Sequence, residues 1–260
     1  MPAALTLRTV RATRYVLPLR EGGSMPGLVE ADDDGLYVVK FRGAGQGPKA
    51  LVAEVVAGEL ARAAGLRVPE IVLMDVDPVI AAAEPDPEIQ ELVQGSGGLN
   101  AALDFLPGAL PFTPAAPAGV SAHVAAAVVW FDALVANVDR TPRNPNMLVW
   151  HGNLWLIDHG AALYRHHAAA WPEGAAAAPF PQIADHALLP FADPIDRVDA
   201  ALAGRLTPEA VGAAVAAVPD LWLGRDPPAE RDAYVTYLQE RLAAPRAFAA
   251  EAEEARRGRA

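Results

Sequence analysis

The sequence predicts a mixed α+β fold, with a β-rich N-terminal part followed by a mostly helical C-terminal part. The N-terminal third alternates short runs of β-branched and aromatic residues with turns rich in Gly, Pro and Asp. The stretch after residue 160 is rich in alanine and broken by prolines, as is typical of short helices with sharp ends. Hydrophobic residues make up 52% of the 260-residue chain and charged residues 20%, so a folded chain with a sizeable core is expected.

In the β-rich part, the apolar runs predict four strands and one helix. A hairpin is expected around the turn 32–35, and the helix is expected to end at Gly65, a residue type common just beyond helix C-termini. The predicted strands are 14–19, 28–31, 35–41 and 69–76, and the predicted helix is 49–64.

The middle of the chain carries weaker signals. Residues 79–98 are rich in Pro, Glu and Gly, which predicts a loop with a short strand at 89–93. The other predicted elements are a strand at 99–106, an apolar helix at 121–138, and a hairpin of two strands at 147–150 and 154–157.

Composition excludes several classes of function. The formal net charge of −11 argues against a sequence-independent nucleic-acid binder, so no direct nucleic-acid partner is expected. The absence of cysteine excludes thiolate catalysis and cysteine-ligated metals. No apolar run is long enough to cross a bilayer and the N-terminus does not resemble a signal peptide, so a cytoplasmic protein without a membrane partner is expected.

Residues 136–160 concentrate polar side chains in an otherwise apolar context. Asp139 follows the predicted helix, Asn144 comes five residues later, and Asp158 and Gly160 form an Ile-Asp-x-Gly turn after the hairpin. This layout is the one that kinase-like phosphotransferases use for a base and a magnesium site. It predicts Asp139 as the base, Asn144 and Asp158 as oxygen ligands of Mg²⁺, and Gly160 as the small residue that permits the sharp turn.

Lysine is rare in this chain, since only Lys40 and Lys49 occur among 21 basic residues. Lys40 ends the run Tyr-Val-Val-Lys, which matches the strand lysine that contacts ATP phosphates in kinases. Its expected partner is a glutamate on the following helix. Glu54 and Glu59 both lie there, and Glu54 is preferred because its neighbours are apolar and a charge among them needs a partner.

Two further segments are assigned more by position than by chemistry. A glycine-rich turn between the first two strands can wrap phosphates with its backbone N–H groups. The end of the strand at 99–106 is placed to act as a connector whose backbone reads adenine. The loop residues are Gly22, Gly23 and Ser24, and the connector residues are Asp104, Phe105 and Leu106.

Together these residues resemble the HipA-like kinases, serine/threonine kinases related to the toxin of a bacterial toxin–antitoxin pair and more remotely to phosphoinositide kinases. The resemblance covers roughly residues 20–165. The motifs that carry it are Asn137-Val-Asp-Arg140, Asn144, Tyr37-Val-Val-Lys-Phe41, Ala53-Glu54 and the run from Leu60 to Pro69.

The resemblance implies a two-lobed protein-kinase-like fold that uses ATP and Mg²⁺. An N-lobe of residues 1–106 would hold the glycine loop, the strand lysine and one helix. A helical C-lobe of residues 107–260 would hold the catalytic loop and the metal-binding hairpin. Asp139 would be the catalytic base, Asn144 and Asp158 the magnesium ligands, and Lys40 the phosphate-binding residue.

The sequence departs from the family pattern in several places, of which two bear on the site. The family usually has a histidine after Asp-Arg, where this chain has Thr141 and Pro142. A second asparagine, Asn146, follows Asn144 closely, and the sequence leaves open which of the two holds the metal.

The predicted function is therefore an ATP- and Mg²⁺-dependent transfer of the γ-phosphate to a hydroxyl acceptor, with protein serine or threonine favoured. Two alternatives stay open. One is a small-molecule kinase of the aminoglycoside or choline type, which shares the same active-site logic. The other is a non-catalytic nucleotide-binding pseudokinase. The sequence does not choose among acceptors, because no motif stands out in the helical part.

Overall fold

The computed structural model describes residues 5–19, 25–45, 47–117, 119–168, 171 and 174–259. Within them the fold is mixed α+β, as predicted. The strands are β1 Thr9–Pro18, β2 Gly27–Ala31, β3 Leu36–Lys40, β4 Ile71–Val76, β5 Gly98–Asp104, β6 Leu110–Pro111, β7 Met147–Trp150 and β8 Asn153–Leu156. The α-helices are α1 Pro48–Ala63, α2 Pro87–Gln94, α3 Ala122–Val135, α4 Asp196–Arg205, α5 Pro208–Ala216, α6 Pro227–Leu242 and α7 Ala247–Arg257.

The first five strands form a closed barrel in the order β1-β2-β3-β5-β4. All neighbours are antiparallel except β1 and β4, whose parallel pairing closes the barrel. Side chains alternate across the strands, so every second residue points inward and packs with its counterparts. Val29, Val39, Val72, Met74 and Ala102 are fully buried in this interior.

Helix α1 is buried on every side. All residues from Leu51 to Ala61 are buried, because α1 lies between the barrel strands β4 and β5 and helix α5. A helix that is apolar all round belongs in a core rather than on a surface. One continuous core therefore includes both α1 and the C-terminal helices. It has members on both sides of residue 106, the predicted lobe boundary.

Helix α3 carries the chain into the polar segment. Ser121 caps its start by accepting a hydrogen bond from the backbone N–H of Val124 at 3.2 Å. The helix ends at Ala136, which adopts a left-handed conformation with φ of 49°. The residues that follow form the predicted polar loop, and β7 and β8 then pair as the predicted antiparallel hairpin.

One predicted element is wrong. Residues 89–93 are not a strand but part of helix α2. Asp86 accepts a hydrogen bond from the backbone N–H of Glu88 and Pro87 occupies the first helical turn, a combination typical of helix starts. Ile89 and Val93 are both buried, as expected for positions four apart on a single helix face. The helix spacing of these two residues overrides the apolar run that favoured a strand.

The C-terminal helices pack around α3. Contacts join α3 to α4, α6 and α7, and α5 contacts both α1 and α6. No helix in the described part of the chain has the length and apolar character required to cross a membrane.

Candidate active site

Asp139 lies in the loop after α3 and is held by two asparagines. Its Oδ2 accepts hydrogen bonds from Nδ2 of Asn144 at 2.8 Å and from Nδ2 of Asn146 at 3.2 Å. The backbone N–H of Asp139 donates to Oδ1 of Asn137 at 3.2 Å. Two amides therefore share one carboxylate oxygen, which fixes the carboxylate orientation. Asn144 and Asn146 make the same kind of hydrogen bond to Asp139, so the geometry leaves open which of them is the metal ligand.

A buried charge network lies under this loop. Asp132 on α3 is fully buried and accepts hydrogen bonds from Nε of Arg140 at 2.5 Å, from Nε2 of His186 at 2.8 Å and from Nδ2 of Asn137 at 3.1 Å. The backbone N–H of Leu188 donates to Nδ1 of His186, so the ring proton lies on Nε2 and faces Asp132. Three partners converge on a single carboxylate.

The network keeps Asp132 ionised. Burial by itself raises the pKa of this carboxyl group, but the charge of Arg140 and the hydrogen bond from His186 outweigh it and hold the pKa well below its usual range. Asp132 and His186 are not among the residues predicted from the sequence. A carboxylate inside the apolar run Val-Val-Trp-Phe-Asp-Ala-Leu-Val was the available signal for Asp132, since such a group needs a buried partner.

Arg140 also connects the loop to the hairpin. Its Nη1 donates to the backbone oxygens of Asn146 and Ile157, the latter at 3.3 Å. The backbone N–H of Ile157 in turn donates to the oxygen of Asn146 at 3.1 Å. The segment that carries Asp139 and the residue that precedes Asp158 are thus held by one guanidinium.

Lys40 and Asp158 meet directly. Their Nζ and Oδ2 atoms lie 2.7 Å apart, with the lysine mostly buried at the end of β3. Burial raises the pKa of Asp158, but the ammonium of Lys40 outweighs it and lowers the pKa below its ordinary value. Asp158 has a left-handed backbone conformation with φ of 56°, whereas Gly160 does not. The turn therefore depends on the conformation of Asp158, and the role predicted for Gly160 is not observed.

Glu54 has a different partner from the one predicted. It is 1% exposed, and its Oε2 accepts a hydrogen bond from the backbone N–H of His159 at 2.9 Å. Its Oε1 lies 3.6 Å from Nδ1 of the same histidine. Among the described residues no ion pair joins Glu54 to Lys40. Glu59, the other candidate on α1, lies 3.6 Å from Arg62 on the same helix.

The predicted connector follows β5. In the register of β3 and β5, Lys40 lies opposite Ala101 and Tyr37 opposite Asp104, so the connector begins three residues from the lysine, or roughly 10 Å along the strand. The backbone N–H of Phe105 donates to the oxygen of Leu36 at 2.9 Å, and Leu106 is buried. The predicted glycine loop, Gly22, Gly23 and Ser24, lies outside the described residues.

The remaining histidines and clefts lie apart from these side chains. His166 is bonded to the hydroxyl of Tyr234 at 2.8 Å, and in the described ranges no three His, Asp or Glu side chains group as a metal centre. Two open clefts of about 560 and 540 Å³ lie among the C-terminal helices, and neither is lined by a predicted site residue. Lys40 and Asp158 are joined by their ion pair, and the loop of Asp139 is joined to Ile157 through Arg140 and Asn146.

Comparison with known proteins identifies a family and a similar fold. The family model described as HipA-like kinase matches residues 14–247. Among solved structures, the crystal structure of the Helicobacter pylori proinflammatory kinase CtkA is similar, with a TM-score of 0.52 and 13% sequence identity. That match covers 90% of this chain and 94% of CtkA, and at this identity it bears on the fold. A comparison with curated proteins finds no match.

Proposed function

Because the chain belongs to the HipA-like kinase family, we propose that it transfers the γ-phosphate of ATP to a serine or threonine hydroxyl of a protein, with Mg²⁺. One observation carries the proposal. The Lys40–Asp158 ion pair of 2.7 Å directly follows Ile157, which is hydrogen-bonded to Asn146 in the loop where two amides orient Asp139. This link supports the assignment of Lys40 to phosphate, of Asp158 to a metal and of Asp139 to a proton.

Each side chain has a defined task in this proposal. Asp139 accepts the proton of the attacking hydroxyl. The hydrogen bonds that its Oδ2 accepts from Asn144 and Asn146 keep the carboxylate in a fixed orientation. Lys40 contacts the phosphates of ATP. Asp158 and Asn144, or Asn146 in its place, would hold the metal, and this set of carboxylate and amide oxygens fits the preference of Mg²⁺ for hard ligands. The bound ion would neutralise charge on the transferred phosphoryl group.

The nucleotide base is assigned to the connector at the end of β5. The backbone of Asp104, Phe105 and Leu106 begins roughly 10 Å from Lys40 along the strands, a separation that suits a base at the connector and phosphates at the lysine. Backbone N–H groups of Gly22, Gly23 and Ser24 are proposed to cover the phosphates.

The test is phosphate transfer from labelled ATP in the presence of Mg²⁺, comparing wild type with Asp139→Ala. Loss of a general base is expected to lower the rate by about 10²- to 10⁴-fold. Asp193→Ala, which removes an exposed aspartate outside the loop, serves as the matched control and should keep full activity. Equal incorporation of label by wild type and Asp139→Ala would rule out this base.

The acceptor class is tested with two panels, protein extracts and small alcohols that include aminoglycosides and choline. Labelled protein bands support the proposal, and label that appears only in small molecules supports the alternative kinase type. A rise in melting temperature with ATP but no turnover on either panel would identify a pseudokinase instead.

A further inference from the structure

The contacts of Glu54 differ from those of a counter-ion for Lys40. Glu54 is buried on α1, and its only side-chain hydrogen bond within the described residues is the one that Oε2 accepts from the backbone N–H of His159 at 2.9 Å. The charge of Lys40 is balanced at 2.7 Å by Asp158. A buried carboxylate needs a donor, and here the donor is the backbone directly after Asp158.

Two other contacts join α1 to the same segment. A methyl group placed on Gly160 would lie 3.6 Å from the carbonyl oxygen of Ala50, so the first turn of α1 lies against the backbone of the turn. Lys49 donates through Nζ to the backbone oxygen of His166. From its first turn onward, α1 therefore contacts the chain at residues 159, 160 and 166.

The conformation of Asp158 explains why such support is needed. With φ of 56°, this residue occupies a region that residues with a side chain rarely adopt, and such conformations persist only where the surroundings fix them. The hydrogen bond from His159 to Glu54 is one of the contacts that fix it. Arg140 fixes the other side by binding the oxygen of Ile157 at 3.3 Å.

We propose that Glu54 is a positioning residue for Asp158, which it holds in place through the backbone N–H of His159, and that it does not act as the counter-ion of Lys40. This role rests on the proposed function, in which Asp158 binds the metal. It predicts that an uncharged acceptor at position 54 suffices, because a backbone N–H requires an oxygen and not a negative charge.

The experiment compares Glu54→Gln with Glu54→Ala. The glutamine keeps an oxygen for His159, so its turnover and its half-maximal Mg²⁺ concentration are expected within about twofold of wild type. The alanine is expected to raise the half-maximal Mg²⁺ concentration by about 10-fold or more, the usual effect of losing a residue that orients a metal ligand. Glu54→Gln as impaired as Glu54→Ala would overturn the proposal, because the charge would then be essential.

A second measurement does not depend on activity. Hydrogen exchange of the His159 amide in the ligand-free protein should stay slow in Glu54→Gln and become fast in Glu54→Ala. Glu59→Ala is the matched control, since it also removes a buried carboxylate from α1 and should leave the His159 amide protected. Unchanged exchange in Glu54→Ala would overturn the proposal. If wild type transfers no phosphate, the proposed function fails while amide exchange still decides the role of Glu54.

Discussion

The loop that carries Asp139 and the turn that carries Asp158 are held in different ways. Beneath the loop, the carboxylate of Asp132 and the guanidinium of Arg140 are both wholly inaccessible. The turn is held by Lys40, which is 11% exposed, and by Asp158, which is 31% exposed, together with backbone contacts to α1. Buried charges resist rearrangement, whereas partly exposed charges can exchange partners when a ligand binds. The loop of Asp139, the proposed base, is thus fixed, and Asp158, the proposed metal ligand, is adjustable.

The largest effect on stability is expected from a substitution in the buried charge pair beneath the loop of Asp139. Asp132→Asn leaves the guanidinium of Arg140 buried without a counter-ion, which typically destabilises a protein by about 3–5 kcal/mol. Urea denaturation measures the change in unfolding free energy. Asp193→Asn breaks an exposed ion pair with Arg197 and should change it by less than about 1 kcal/mol. Equal losses of unfolding free energy in the two variants would show that the buried ion pair contributes no more than the exposed one.

A smaller effect is expected from His166, in the segment after the turn. Burial, with the charges of His167 and Lys49, lowers the pKa of His166 to about 3 from its ordinary 6.5. Between these values the unfolded chain takes up a proton that the folded chain does not, so folding stability falls as the pH falls. The slope from this group is at most about 1.4 kcal/mol per pH unit.

Replacing this histidine isolates its contribution. His166→Gln should show a shallower loss of stability than wild type between pH 6 and pH 4, measured as the unfolding free energy at each pH. Parallel curves for the two proteins would contradict the assignment, because the buried ring would then make no difference to the pH dependence.

The smallest effect is expected at Gly160. Its backbone is outside the left-handed region and an added methyl group would meet only ordinary contacts, so Gly160→Ala should change the unfolding free energy by less than about 1 kcal/mol. Gly27→Ala is the contrast, since its methyl group would lie 2.7 Å from the ring of Tyr15 and should cost about 1–3 kcal/mol. A large loss of unfolding free energy in Gly160→Ala would show that the turn requires glycine at this position.

Much of this architecture could be predicted from the sequence, and the exceptions have physical causes. The hairpin β2–β3, helices α1 and α3, and the hairpin β7–β8 each carry a local apolar pattern and a turn or end signal. Helix α2 is the exception, because Asp86 and Pro87 mark its start. The surrounding stretch is rich in Pro, Glu and Gly, a composition that favours a loop and conflicts with this signal.

Several residues of the candidate site could be predicted from the sequence, but most of the contacts between them could not. Lys40 and Asp158 meet, yet the partner of Glu54 lies 105 residues away and is a backbone group that every residue except proline possesses. No residue type identifies such a partner in advance. The same holds for His186, whose role under the loop depends on where residues 181–191 return to α3. Distant pairings of this kind are set by tertiary packing.

The burial of α1 on all sides has a consequence for how the chain folds. During synthesis the barrel strands and α1 emerge first, but α5, which covers α1, ends only at Ala216. Until then the apolar surface of α1 is uncovered, and chaperones bind surfaces of this type. The helix that contacts the turn of Asp158 therefore reaches its final environment only after α5 has been synthesised. A nascent chain that ends before α5 would hold the residues of the site without the packing that arranges them.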